Sequence, residues 1–488
     1  MSALETHATL NQANIPSQYK WKGAKLPSSC LILLLGLCFW QISPPEGLTI
    51  QAWHLFIIFF TTIIAVISKP MPMGAISILS IVICVLTNTL TIEKGLNSFS
   101  SPIVWLVVSA FLIAKGFIKT GLGSRISYYF IMFLGRSTIG LSYGLIGSEL
   151  ILAPFIPSNT ARGAGVIFPI VTALSKEYES YPNTPSRKKI GAYLTKICFQ
   201  TNVITSSMFI TAMAANPLIV TIAASMGHKI TWTTWALAAI VPGLFCLLIL
   251  PFVFYLIYPP EIKHTPEAPL MAQTKLKEMG NIKLDEIVML GTFGLLLTFW
   301  ILGPIINIDA TSTALLGLAI LLFSGVLSWE DIISEKEAWN TFIWLSILLS
   351  LVKGLAELGA ITWFSNHIRN TVSDMPWQTA LTILAIVYYY THYLFASMTS
   401  HISSLFSAFT IVVIATGAPP MVVVLLFAAM SSLSGGLTHF GTGTAPVYFS
   451  SGYVTLKEWW QLGGVMSIIH LSVWLIIGLW WWKIIGIW

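Results

Sequence analysis

Between residues 29 and 258 the chain passes through one apolar segment after another, at about 29–42, 52–68, 75–91, 102–118, 197–224 and 233–258. One stretch among them, Pro157-Ser158-Asn159-Thr160-Ala161-Arg162-Gly163-Ala164-Gly165, breaks the pattern with two hydroxyls, an amide, an arginine and two glycines. Runs of this kind belong in a bilayer, where about 20 apolar residues span the hydrocarbon. An arginine at bilayer depth costs roughly 2.5–3.5 kcal/mol on insertion scales. Irregular backbone survives there only when buried in protein or facing a wet cavity. The stretch therefore reads as a site.

Composition makes the same assignment. With 56% hydrophobic and 9% charged residues over 488 positions, and a mean hydropathy of +0.80, the chain is far from a soluble domain, which is about 25% charged. The fold class is an all-α polytopic membrane protein embedded in the lipid bilayer. The net charge of +6 is modest, and the basic residues cluster in loops: Lys119, Arg125 and Arg136 in one, Arg187-Lys188-Lys189 in another. That pattern orients the spans, with these loops cytoplasmic and the turns at Glu93-Lys94 and His228-Lys229 on the opposite face. It is no footprint for nucleic acid. Residues 1–28, carrying Lys20, Lys22 and Lys25, read as a cytoplasmic tail ahead of a first transmembrane helix at 29–48. The tail is too long and polar for a typical secretory n-region and lacks the composition of a transit peptide. A bacterial inner membrane is expected ahead of an organelle envelope. Cys30, Cys38, Cys84, Cys198 and Cys246 show no metal or disulfide spacing and read as packing residues.

The chain also repeats itself. Val85-Leu86-Thr87 is answered by Val326-Leu327-Ser328, and Trp105, Lys115-Gly116 and Gly121 by Trp344, Lys353-Gly354 and Gly359, with the same spacing from lysine to second glycine. The halves are 49–258 and 285–488, on either side of a charged cytoplasmic linker at 259–284. With about five crossings each, the second half lies upside down, giving two inverted repeats and about 11 transmembrane helices. A second polar interruption should then exist, and Ser397-Met398-Thr399-Ser400-His401-Ile402-Ser403-Ser404 supplies it. Later breaks pair as well: Thr201-Asn202 to Ala214-Ala215-Asn216-Pro217 in the first half, Ser434 to Gly443 with Pro446 in the second. Glycine admits close backbone approach and proline stops the helix from closing. Helix N-termini exposed this way favour an anion.

Pro157 to Gly163, taken with Leu437-Thr438-His439-Phe440-Gly441-Thr442-Gly443-Thr444-Ala445-Pro446-Val447-Tyr448-Phe449, resembles the divalent anion:sodium symporter family, in its 2-oxoglutarate/malate translocator and citrate/succinate antiporter branch. The resemblance covers the chain after the N-terminal tail. It implies a homodimer of elevator type, with a re-entrant hairpin and a broken helix in each repeat. Here these are hairpins 138–173 and 377–415 and breaks near 206–216 and 434–446. Sodium-coupled members carry serine-asparagine-threonine at both tips. The second tip here is read as Ser400-His401-Ile402, which removes a hard oxygen ligand. With Arg162 beside the first tip, fixed or titratable protein charge is expected to stand in for sodium, giving obligatory dicarboxylate exchange. Sodium-coupled di- or tricarboxylate uptake is the alternative, with a residual sodium site near Asn159 and Ser207. No cofactor is expected.

Substrate contacts are expected from Ser158, Asn159, Thr160, Arg162, Ser400, His401, Thr438, His439, Gly441 and Thr442. Arg162 is either a bidentate substrate ligand or a clamp on helix-end carbonyls. His401 and His439 either touch substrate or are satisfied buried histidines. Lys115 and Lys353 are assigned to framework support or snorkelling to an interface, His392 and His470 to packing, and Glu149 to pairing with a basic group. Catalysis is not expected, since HExxH, a GxSxG elbow and an intramembrane acidic dyad are all missing. Without GxxxxGK[ST] the chain is not ATP-driven. Paired interruptions fit alternating access better than a channel.

Overall fold

A computed structural model describes residues 23–363, 366 and 375–488. Residues 1–22 of the expected tail lie outside them. All regular structure among the described residues is helical, with one isolated backbone bridge between Ser137 and His264 and no strand. Among the described residues, seven helices are long and apolar enough to cross a membrane, and six shorter apolar helices accompany them.

Local chemistry sets the helix ends. Thr49 opens Ile50–Ser68 by accepting from the Ala52 amide at 3.2 Å, satisfying one of the amides a helix start leaves free. The same helix stops at Lys69, which takes the left-handed conformation with φ 49° ahead of Pro70. Pro102–Thr120 begins on proline and ends on Gly121 at φ 75°, the usual asymmetry of helix ends.

Two groups of helices emerge. In the first, Met73–Leu86 and Pro102–Thr120 both pack on Lys336–Glu357, with Ile50–Ser68 beside them. Glycine allows that closeness at Gly354, where a Cβ would lie 2.9 Å from Leu55 Cδ2. Ion pairs fasten the group: Lys94 to Glu357 at 2.8 Å and Lys119 to Asp331 at 2.6 Å. Lys115 Nζ adds donations to Asp331 O at 3.0 Å and Ser334 Oγ at 2.9 Å.

The second group centres on Gly191–Met208, a helix buried at every position, packed by Trp232–Ile257, Pro420–Leu433 and Thr138–Leu152. The charged segment after Pro259 holds a helix of its own, Glu267–Met279, lying against Leu122–Leu134. Arg125 ties its end down, donating to Gly280 O at 3.0 Å while Nε meets Glu286 Oε1 at 2.6 Å.

Candidate substrate-binding site

Two hairpins turn back inside the protein. Thr138–Leu152 starts on Ser137, which accepts from Gly140 N. Its exit, Ala153 to Pro157, is held out of helix by Pro154 and Pro157. The chain re-enters at Ser158, whose Oγ accepts from Ala161 N at 3.1 Å. A π-helical stretch, Ala161–Ile167, leads into Phe168–Glu177. The second hairpin follows the same plan. Trp377–Thr391 descends to a break, Ser397 accepts from Ser400 N, and a π-helical stretch Ile402–Phe406 leads into Ser407–Ala415.

The capping serines fix the correspondence between the tips, and it differs from the sequence-based one. Ser397 matches Ser158, so Met398 stands where Asn159 stands, Thr399 where Thr160 stands, and His401 where Arg162 stands. The second tip is therefore Ser397-Met398-Thr399. Ser400 and His401 belong to the turn behind it. The physical reason is that a helix begins where its first free amides find a side-chain oxygen, and Ser397 supplies that oxygen.

Two interrupted helices face the tips. Gly191–Met208 breaks over Phe209–Ala215 before Asn216–Ser225. Pro420–Leu433 breaks from Ser434 to Gly443 before Thr444–Ser450. The restarts match as Asn216-Pro217 and Ala445-Pro446.

All four breaks meet at one cavity of about 340 Å³, lined by Ser158, Asn159 and Thr160, Ser397 to Thr399, Met213 to Ala215, and Thr442 with Gly443. That volume lies in the usual range for ligand pockets, about 300–1,000 Å³. The far wall comes from the first group of helices, including Lys69, Phe111, Glu337, Thr341 and Trp344. The hydroxyls of Ser158, Thr160, Ser397 and Thr399 donate to no protein acceptor among the described residues, which leaves four donors for a ligand. Asn159 is fixed by its own donation from Nδ2 to Thr442 Oγ1 at 2.8 Å.

Arg162 does not line this cavity. Fully buried, its guanidinium donates from Nε to Glu149 Oε1 at 2.6 Å, from Nη1 to Ile156 O at 2.7 Å and Ala212 O at 2.9 Å, and from Nη2 to Ser206 Oγ at 3.1 Å. Of the two roles open to it, this geometry is the clamp, and Glu149 is the partner. Asn202 extends the cluster: Nδ2 donates to Glu149 Oε1 at 2.6 Å and to Asn159 O at 3.0 Å, and Oδ1 accepts from Thr444 at 3.1 Å. The arginine thus holds the first tip and the first break as one piece.

The histidines do not line the cavity either. His401 Nε2 bonds Thr391 Oγ1 at 3.0 Å, and its ring lies 4.4 Å from that of Tyr388. His392, assigned to packing by sequence, donates from Nε2 to Gly441 O at 2.9 Å and so anchors the second break. His470 Nδ1 meets the Tyr389 hydroxyl at 3.1 Å. His439 Nδ1 accepts from Trp460 Nε1 at 3.3 Å. Thr438 and Gly441 lie buried within the second break, and Gly441 has no room for a Cβ, which would meet His392 Nε2 at 2.9 Å.

Of the ten expected contacts, then, Ser158, Asn159, Thr160 and Thr442 line the cavity, while Arg162, Ser400, His401, Thr438, His439 and Gly441 lie outside its lining. Ser207 is not brought to Asn159. Its Oγ donates to Ile204 O at 2.7 Å, and the residue faces Trp235 and Trp474. Sequence reasoning missed Lys69, Glu337 and Thr341, which carry no local signal because they sit in an ordinary turn and an ordinary membrane helix, and read Trp344 only as a repeat marker.

The family model described as "Sodium:sulfate symporter transmembrane region" matches residues 24–488. YflS of Bacillus subtilis, which its name proposes to be a malate transporter, is 53% identical over 464 residues, 95% of this chain and 97% of that one. Dicarboxylate transporter 1, chloroplastic, of Arabidopsis thaliana is 43% identical over 96% of this chain and 85% of its own length. The citrate/succinate antiporter of Escherichia coli is 34% identical over 92% of this chain and 96% of its own. Two solved structures share the fold at low identity: the YdaH transporter of Alcanivorax borkumensis (TM-score 0.55, 12% identical, 94% of this chain and 97% of that one) and MtrF of Neisseria gonorrhoeae (TM-score 0.58, 11% identical, 92% and 96%). The relatives are transporters and not enzymes. The profile match across nearly the whole chain and these identities agree, and the chain belongs to the divalent anion:sodium symporter family.

Proposed function

We propose that the chain exchanges four- and five-carbon dicarboxylates, of the 2-oxoglutarate, malate and succinate type, across a bacterial inner membrane. The observation that carries this reading is the meeting of four chain breaks at one cavity lined by neutral hydroxyls. Helix starts carry partial positive charge, and two of them, at Ser158 and Ser397, face the cavity together with unspent hydroxyls. A dicarboxylate offers two anionic ends to such a surface. The names of the relatives, which speak of malate, dicarboxylates, citrate and succinate, support the substrate class.

In this reading the halves are inverted repeats. The first group of helices is the scaffold of a homodimer, and the hairpins with the broken helices form a transport domain that carries the cavity across the membrane. The matched order of capping serine, π-helical stretch and broken helix in both halves supports the repeat. Residues 1–28 remain a proposed cytoplasmic tail. Arg162 supports sodium-independent exchange. Its guanidinium draws on Ile156 O, Ala212 O and Ser206 Oγ, oxygens of the kind a bound cation would collect. A resident positive charge at that place removes the need for sodium there.

Counterflow in proteoliposomes tests the reading. Vesicles loaded with unlabelled malate should take up labelled 2-oxoglutarate equally well in sodium and in choline buffer, and empty vesicles should not. Uptake by empty vesicles driven only by an inward sodium gradient would instead make the protein a symporter.

A further inference from the structure

The cavity has two ionisable side chains in its lining, and neither comes from the hairpins or the broken helices. Lys69 ends Ile50–Ser68, and Glu337 lies in the first turn of Lys336–Glu357. Both are exposed, and neither side chain has a hydrogen bond or ion pair among the described residues. Arg162 is sealed behind the first tip by Glu149 and two carbonyls, so Lys69 is the one unspent cation in the described lining. An anion in the cavity meets hydroxyls on one wall and these two opposite charges on the other.

Their place in the membrane also follows. Ile50–Ser68 runs to Lys69, Met73–Leu86 leaves from it, and Pro102–Thr120 returns to the same face at Lys119, the start of a basic loop. Lys119 pairs with Asp331, and Glu337 lies six positions further on, where a Cβ on Gly74 would be 3.0 Å from Asn340 Oδ1. By the distribution of basic loops that face is cytoplasmic.

We propose that Lys69 and Glu337 are a specificity pair at the cytoplasmic mouth of the site. Lys69 draws in and holds one substrate carboxylate, and Glu337 repels surplus negative charge, so together they set the preference between dianions and trianions. The inference rests on the reading of the cavity as a carboxylate site. Because both residues stand on the scaffold, they act only while the cavity faces the cytoplasm. A site whose donors are otherwise uncharged is tuned by the number of charges on its ligand, since the energy of each charge pair scales with that number.

The test measures half-saturating succinate and citrate in inverted and in right-side-out membrane vesicles loaded with malate. Lys69→Asn is chosen because asparagine tolerates a positive φ. It should raise the value for succinate about three- to tenfold in inverted vesicles, the scale of one partly screened charge, and more for citrate. Lys69→Arg should restore the wild-type value. Glu337→Gln should lower it, again more for citrate, a gain that misfolding cannot mimic. Right-side-out vesicles should show neither change. Equal effects at both faces, shifts of the same sign in Lys69→Asn and Glu337→Gln, or unchanged values would overturn the pair while leaving wild-type exchange intact. Absence of exchange in the wild type would overturn the carboxylate reading, and the pair with it.

Discussion

Arg162 Nε lies 2.6 Å from Glu149 Oε1, with the two side chains 0% and 2% exposed. A buried ion pair is weak evidence for stability as a whole, but removing one partner leaves an uncompensated charge and typically costs about 3–5 kcal/mol. Here the loss would also free the first tip from the first break, because the same guanidinium spans Ile156 O and Ala212 O.

Glu149→Gln should therefore lower the thermal midpoint of the purified protein by the equivalent of about 3–5 kcal/mol. Arg162→Lys, which keeps charge but loses the fork, should fall too. In a double-mutant cycle the two losses should be strongly non-additive. An unchanged melting temperature in Glu149→Gln would show that the pair is not what holds the tip.

Glycine at the first tip is required by space at one position and not at its neighbour. A Cβ at Gly163 would come within 2.8 Å of Asn202 Nδ2 and 2.9 Å of Thr444 Cγ2, whereas at Gly165 it meets nothing within 4 Å. Gly163→Ala should push Asn202 off the tip, at a cost of about 1–3 kcal/mol from overpacking, and abolish most exchange. Gly165→Ala should exchange at the wild-type rate. Equal rates in the two variants would contradict the packing described.

Thr160 and Thr399 hold matching places at the two tips and both line the cavity. Replacing either with valine keeps the shape and removes one hydroxyl. Each change should raise the half-saturating dicarboxylate concentration roughly two- to tenfold, the worth of a neutral hydrogen bond of about 0.5–1.5 kcal/mol. Thermal stability should not move. Thr410→Val, a buried hydroxyl outside the cavity lining, serves as the control and should leave the concentration dependence alone.

The Lys119–Asp331 pair gives the first group of helices an acid limit. The Lys119 ammonium, 2.6 Å away, together with Ser328 holds the Asp331 carboxyl down at about 2. A carboxyl whose folded value is depressed stabilises fully above its unfolded value, about 4, and loses that contribution as pH falls through about 2. Thermal midpoints followed from neutral pH downward should show this decline between about 4 and 2, and Asp331→Asn should flatten that part of the curve. An identical slope in the variant would assign the acid limit to other carboxylates.

Much of this architecture can be read along the chain. Polar residues and proline inside apolar runs are costly in lipid wherever they occur, so Pro157 to Gly165, Ser397 to Ser404 and the segment ending at Pro446 announce themselves without any knowledge of their neighbours. The same cost reveals that the chain spans a membrane and marks its interruptions as the candidate site. Register within an interruption is less legible. Ser397 and Ser400 are equally good capping residues on paper, and only the amide that Ser397 accepts shows that His401 corresponds to Arg162 and not to Asn159.

What the tertiary structure alone decided is which partner each polar group meets. Arg162 could have turned to the ligand or to the protein. Glu149 on the outgoing arm of its own hairpin and Ala212 in a separate helix break settle it, because their oxygens, with Ile156 O and Ser206 Oγ, take up the guanidinium's donors inside the protein. Lys69 and Glu337 are unremarkable in sequence and reach the cavity only because helices of the first group, distant in the chain, pack beside the hairpin tips. The price of a polar group in lipid is local and visible in one dimension, whereas its compensation depends on three-dimensional neighbours and appears only after folding.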